Sequence, residues 1–249
     1  VGSRTARSSI DRPKCRDRQA RMGIPAELSD LRAALEAAAD PAYRAQIQRI
    51  VPGIRTHGVR VPRIREIADG LRDNPFAELC ALLDAAAAGG VRDEILAATF
   101  AVARSRKQLA TLTWARVAQW IQAVDNWETC DQLATHVAAE WLARHPEEAH
   151  VVPRLAEDAN PWRRRFACAT AVGLNQRGRS NVGLALSVAA RLTAERDANV
   201  QKALAWLVRE VAEHDAHAAI EYLRAHRSAL SRAVLREGSE KLNPATRAE

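Results

Sequence analysis

Long apolar-periodic segments open in this chain at intervals of about 35 residues, at Arg92, Trp127, Trp162 and Ala198. That recurrence constrains the fold more than any other feature, because a helical hairpin cannot bury its own apolar face and must stack on a neighbour of the same kind. From Pro25 onward the pattern predicts helices over 26–39, 41–50, 61–73, 75–87, 91–104, 113–122, 126–144, 147–157, 161–175, 180–193, 197–213, 215–226 and 229–241. Short breaks carrying Pro, Gly, Asn or Asp separate them. Aromatic residues make up only 4% of the chain and runs of β-branched residues are missing, so no sheet is expected.

These readings converge on an all-α fold, a right-handed α-solenoid of HEAT-like antiparallel helical repeats, with an irregular helical bundle as the alternative. With 249 residues the chain can bury a substantial core. One domain is expected over 22–249, preceded by a basic, disordered tail at 1–21. The tail carries seven Lys/Arg against Asp11 and Asp17, which accounts for +5 of the chain's net +7. It reads either as an arm that touches phosphates or as a solvated leader upstream of Met22. Cys15, Cys80, Cys130 and Cys168 are too far apart for a C-x-x-C site and read as reduced thiols. No apolar run approaches the roughly 20 residues of a membrane span and no charged-then-apolar leader opens the chain. The expectation is a cytoplasmic, nucleoid-associated monomer without membrane contact.

Three helices carry residues that core filling does not explain. In A-V-D-N-W-E-T-C-D-Q-L (123–133), Asp125 and Glu128 have the spacing of a capping box, and Cys130, Leu133, Val137 and Trp141 form an inward stripe. Trp127 and Asp131, with Ala134 and Ala138, fall on a flank about a quarter turn away, where the alanines leave room for a ligand. The plainer reading makes Asp131 a cap and Trp127 a gap filler. In N-P-W-R-R-R-F-A-C, Asn160 and Pro161 start a helix. Arg163 and Arg164 can then be solvated, while Arg165 sits among apolar neighbours and needs an anionic partner, either an interhelical carboxylate or a phosphate. In V-Q-K-A-L-A-W-L-V-R-E, Val200, Leu204, Leu207, Val208 and Val211 are inward, and Trp206 projects among Lys202, Arg209 and Glu210. Its ring either packs on the next repeat or meets a ligand.

Together with G-V-R-V-P-R-I-R (58–65) and L-S-R-A-V-L-R-E (230–237), these stretches give a chain that resembles the AlkD-like DNA alkylation repair proteins over about residues 41–241. The resemblance implies a concave groove for double-stranded DNA containing alkylated bases, with Asp131 as the catalytic carboxylate and Trp127 and Trp206 facing the deoxyribose. It also implies backbone contacts from Arg165 and Arg209, and Lys202, Arg163 and Arg164 are candidates for the same role. The implied activity is a glycosylase acting on cationic N3- and N7-alkylated purines, with no cofactor, no metal and no base flipping. A cationic purine leaves without protonation, so one carboxylate beside the sugar is sufficient and the paired acids of glycoside hydrolases are not needed.

Two readings from other classes stay open. One is a catalytically silent DNA-structure or lesion-binding protein, and the other is a protein-interaction scaffold with an exposed apolar patch. His214 with His217, and His136 with Glu140, have metal-like spacing but lack a third ligand in the sequence and read as solvated or capping groups. No phosphate-binding G-x-x-x-x-G-K-[ST] loop and no nucleophile motif occurs.

Overall fold

The structure, a computed structural model, describes residues 26–243. The expected basic tail at 1–21, with Cys15, lies outside the described residues. Helices α1 (Leu28–Ala37), α2 (Pro41–Ile50), α3 (Val61–Gly70), α4 (Phe76–Gly89) and α5 (Arg92–Arg104) come first. A single turn, α6 (Arg106–Leu109), precedes α7 (Trp114–Ile121). Next, α8 (Trp127–Leu133) runs through a π-turn (Ala134–Ala138) into α9 (Ala139–Leu142), and a 3-10 turn (Pro146–His150) leads into α10 (Val151–Leu155). The remainder is α11 (Pro161–Asn175), α12 (Val182–Arg191), α13 (Ala198–His214), α14 (Ala216–Ala225) and α15 (Arg232–Gly238). No strand occurs among the described residues.

Helices α3, α5, α8, α11, α13 and α15 pack one against the next, forming a ladder, while α4, α10, α12 and α14 pack behind it. This is an α-solenoid, and the expected period is the distance between rungs. Helices α5 and α11 have neighbours on both sides, which is why Arg92–Val102 and Arg165–Asn175 are buried without a break. Side-chain caps fix where the rungs begin. Asn160 accepts from the Trp162 amide with Pro161 in the first position, and Asp197 accepts from the amides of Asn199 and Val200. Each such cap contributes about 1 kcal/mol.

Two local expectations fail at α8. Its cap is Asn126, whose side chain accepts from the Thr129 amide. Glu128 does not complete a box with Asp125, because the Arg92 guanidinium draws it across to the previous rung. The helix expected over 126–144 is also interrupted: within it, the Ala139 amide bonds to Ala134 O, five residues back. Ala134 and Ala138 are fully buried and form no open flank. The reason is the approach of α11, since a Cβ on Gly173 would stand 2.7 Å from Ala139 Cβ and 3.0 Å from Thr135 Cα. Small residues here let two rungs touch. Two hydrophobic clusters divide the chain at the π-turn, one holding Leu31 to Ala138 together with Phe166 and Ala169 of α11, the other running from Ala139 to Leu242.

Candidate active site at the junction of three rungs

Asp131 lies one turn into α8 and Arg165 one turn into α11. Arg165 grips the carboxylate with two parallel hydrogen bonds, Nε to Oδ1 at 2.9 Å and Nη2 to Oδ2 at 2.6 Å. Its third arm, Nη1, donates to Asn199 O at 2.5 Å in the first turn of α13. A planar fork with donors on two edges suits this bridging role, which a lysine could not fill. Arg165 therefore acts as an interhelical partner, the first of the two roles read from its apolar surroundings. The partner turns out to be the candidate catalytic group itself.

Burial pushes the Asp131 carboxyl above its ordinary range, Arg165 pulls it down, and Glu128 adds a smaller upward push. The net direction is upward. The carboxylate is nonetheless not closed in, because its side chain keeps 13% of its exposure and takes no donor other than Arg165 among the described residues. An ionised carboxylate has about four acceptor positions. Two are filled, so the site has acceptor capacity left over.

Trp127 stands one turn before Asp131 and is 41% exposed, one of only two large hydrophobic residues on the surface among those described. Trp206 is half-buried and packs on both hydrophobic clusters. It lies seven residues, or about two turns, beyond Asn199 and so on the same side of α13. Arg165 thus links the helix that carries Trp127 and Asp131 to the helix that carries Trp206. Cys130 points inward, with its Sγ 3.7 Å from Trp162 O, and burial holds its thiol well above its ordinary range. It cannot act as a thiolate nucleophile.

The other candidate cations divide. Arg163 pairs with Asp158 at 2.8 Å and Arg164 with Glu195 at 2.6 Å. Neither is simply solvated, because both carboxylates sit in the loops flanking the helix starts and claim them. Arg209 reaches Glu240 at 2.9 Å on the surface. Lys202 is exposed and meets no carboxylate among the described residues.

Sequence reading missed Arg92. It is fully buried, and it donates to Val59 O at 3.2 Å, Asp93 Oδ1 at 2.9 Å and Glu128 Oε1 at 2.9 Å. It ties the segment leading into α3 to α5 and α8, as Arg165 ties α8, α11 and α13. A signal was present: Arg92 and Glu128 are 36 residues apart, and Asp131 and Arg165 are 34 apart, each close to one repeat. Opposite charges separated by one period mark contacts between rungs.

The carboxylate of Asp131, partly open to solvent, thus shares a ladder of helices with the surface indole of Trp127 and the fork of Arg165. The family model described as DNA alkylation repair enzyme matches residues 31–242, and the chain belongs to that family. Among solved structures, a predicted DNA alkylation repair enzyme from Enterococcus faecalis superposes with a TM-score of 0.69 at 19% identity. The match covers 83% of this chain and 97% of that one, and at this identity it shows a shared fold. No curated protein matches the chain. Membership in the family supports a role in DNA repair and the status of an enzyme. None of the described helices is long and apolar enough to cross a membrane.

Proposed function

We propose that this protein hydrolyses the N-glycosidic bond of cationic N3- and N7-alkylated purines in double-stranded DNA, with Asp131 as the carboxylate that meets the sugar. The observation that carries the reading is the unspent acceptor capacity of Asp131, beside exposed Trp127 on one turn of helix. As the C1′–N bond lengthens, its electron pair passes to the purine and cancels the ring's positive charge, while positive charge grows on the sugar. A fixed carboxylate stabilises that charge at the transition state more than in the ground state. Water adds its oxygen to C1′ from the side of Asp131 and gives its proton to the carboxylate or to solvent.

Arg165 serves as the positioning residue. Its two hydrogen bonds hold the carboxylate plane, and its hold on Asn199 O fixes that plane relative to the helix of Trp206. Trp127 and Trp206 supply aromatic faces to the deoxyribose. Arg163, Arg164, Arg209 and Lys202 supply positive charge toward the phosphates, with Lys202 the one that need give up no carboxylate, while Arg165 stays held on Asp131 and Asn199 O. Neither a metal nor a second acid is needed, because the cationic base leaves without protonation, and on this reading the lesion stays in the stack without base flipping.

A second reading, lesion binding without chemistry, draws on the same pair: a carboxylate already bonded on both oxygens has less to offer a nascent cation. One incubation separates the two. Purified protein with 7-methylguanine-containing duplex releases free 7-methylguanine faster than a protein-free control. Duplex binding with release no faster than the control establishes the silent reading instead.

A further inference from the structure

One residue beyond Asp131 on α8, a second group of cations gathers with too few carboxylates to match it. Arg65 of α3 lies over the ring of Phe100, its Cζ 4.1 Å from the centroid, and one amino group donates to Gln132 Oε1 at 3.1 Å. Burial, together with nearby Arg104 and Arg177, pulls the Arg65 guanidinium below its ordinary range. No carboxylate pairs with Arg65 or Arg106 among the described residues. Arg104 pairs with Asp69, and Arg177 shares Glu140 with Arg144 and Arg179. Five arginines, Arg65, Arg72, Arg104, Arg106 and Arg177, thus line with His136 a hollow of about 550 Å³, Arg72 being paired with its neighbour Asp73.

Two details indicate a built site. Arg177 reaches the hollow from a backbone with φ of 58°, in the left-handed region that L residues seldom occupy, and its Nη1 donates to Thr135 O at 3.0 Å. His136 is the second. The Thr135 hydroxyl spends its one proton on Asp131 O at 2.7 Å and contacts His136 Nδ1 at 2.8 Å. The ring proton must therefore sit on Nδ1, which leaves Nε2 as a lone pair without a partner among the described residues. Burial, then Arg177 and Arg65, hold the imidazole down to about 4, with Arg106 acting the same way and Glu140 opposing. The ring is neutral at pH 7 because burial disfavours its charged form and the arginines around it add to that effect.

We propose that this hollow is an anion site that takes one backbone phosphodiester of bound duplex DNA, beside the Asp131 site and separate from it. Guanidinium forks match phosphate oxygens, and a tetrahedral oxyanion accepts from several directions at once, as cations from four segments require. Gln132, bonded to Arg65 and adjacent in sequence to Asp131, joins the two sites along α8. The proposal rests on the duplex-DNA reading above. The phosphate's arrival offsets the positive field at His136 and raises the ring's affinity for a proton.

The test follows the His136 ring resonance and duplex affinity together, using full-length protein, an undamaged 12-base-pair duplex, and inorganic phosphate. Duplex binding raises the His136 pKa by about 1 unit or more in the unaltered protein, as an opposite charge within a few ångströms does. Arg65→Gln loses that rise, and the slope of log affinity against log salt falls by about 0.9, the value of one phosphate contact. Arg65→Lys, which keeps the charge, keeps the slope and shows that packing alone is not being measured. Unchanged slope and affinity in Arg65→Gln overturn the proposal while leaving base release by Asp131 intact. If the unaltered protein binds no duplex, the function proposed above fails instead. In that case a His136 shift with inorganic phosphate keeps the oxyanion chemistry and reassigns its source to free phosphate, whereas no shift with either probe overturns the site.

Discussion

Asp93 is a fully buried carboxylate and Asp131 a largely covered one, both near the starts of neighbouring rungs, yet the chain treats them in opposite ways. Asp93 has no exposure and takes four donors: the Thr56 hydroxyl, the amides of His57 and Val59 at 2.9 Å each, and Arg92 Nη1 at 2.9 Å. Every acceptor position is filled by the scaffold. Asp131 takes two donors from one arginine and keeps an opening to solvent. Burial alone therefore does not mark a reactive carboxylate. What separates the two is how much hydrogen-bonding capacity the fold leaves unclaimed, and Asp93 has none to offer a ligand.

That contrast breaks most directly at Asp93. Asp93→Ala leaves Arg92 partly unpaired and two loop amides without an acceptor, and should lower unfolding stability by about 3–5 kcal/mol in a urea titration. Next in size, Asp131→Asn should slow release of 7-methylguanine by about 10²–10³-fold. Duplex affinity in a gel-shift titration should stay unchanged, and unimpaired release would remove Asp131 from the chemistry.

The pH dependence sharpens the comparison. Burial raises the Asp131 carboxyl, so the ionised form is lost as pH falls through a value higher than the ordinary Asp value of about 3.9. The acid limb of the release rate, corrected for spontaneous loss of base, should lie above that value. Arg165→Gln removes the group that pulls the carboxyl down and should move the limb further up; a limb that stays in place would show that another group titrates. The smallest effect belongs to Lys202. Lys202→Gln should reduce the salt slope of duplex binding by about 0.9 with little change in stability, and an unaltered slope would place this exposed cation off the DNA path.

The fold was legible because period and caps are local signals. Asn160 with Pro161, and the inward run Val200, Leu204, Leu207, Val208 and Val211, appear as expected in α11 and α13. The interior of α8 was not legible. Its π-turn answers to Gly173 of another rung, and no pattern within 126–144 carries that information. The candidate site was half legible for the same reason. Trp127 is exposed where its flank predicted and Arg165 found the carboxylate it required, but Glu128, read as a box partner, belongs to Arg92. Arg163 and Arg164, which their own helix leaves open to solvent or phosphate, are paired by Asp158 and Glu195 from outside that helix. Residues that answer to their own helix could be read, and those that answer to a neighbouring rung could not.

Solenoids grow or shrink by adding or losing units at their ends, and most of their surface tolerates such editing. The Arg165 fork withdraws a stretch of this chain from that freedom. Because it holds a side chain on one rung and a main-chain oxygen two rungs along, the shortest fragment with an intact acidic centre spans three consecutive units, and a deletion at α13 would disarm a residue that lies more than sixty positions upstream.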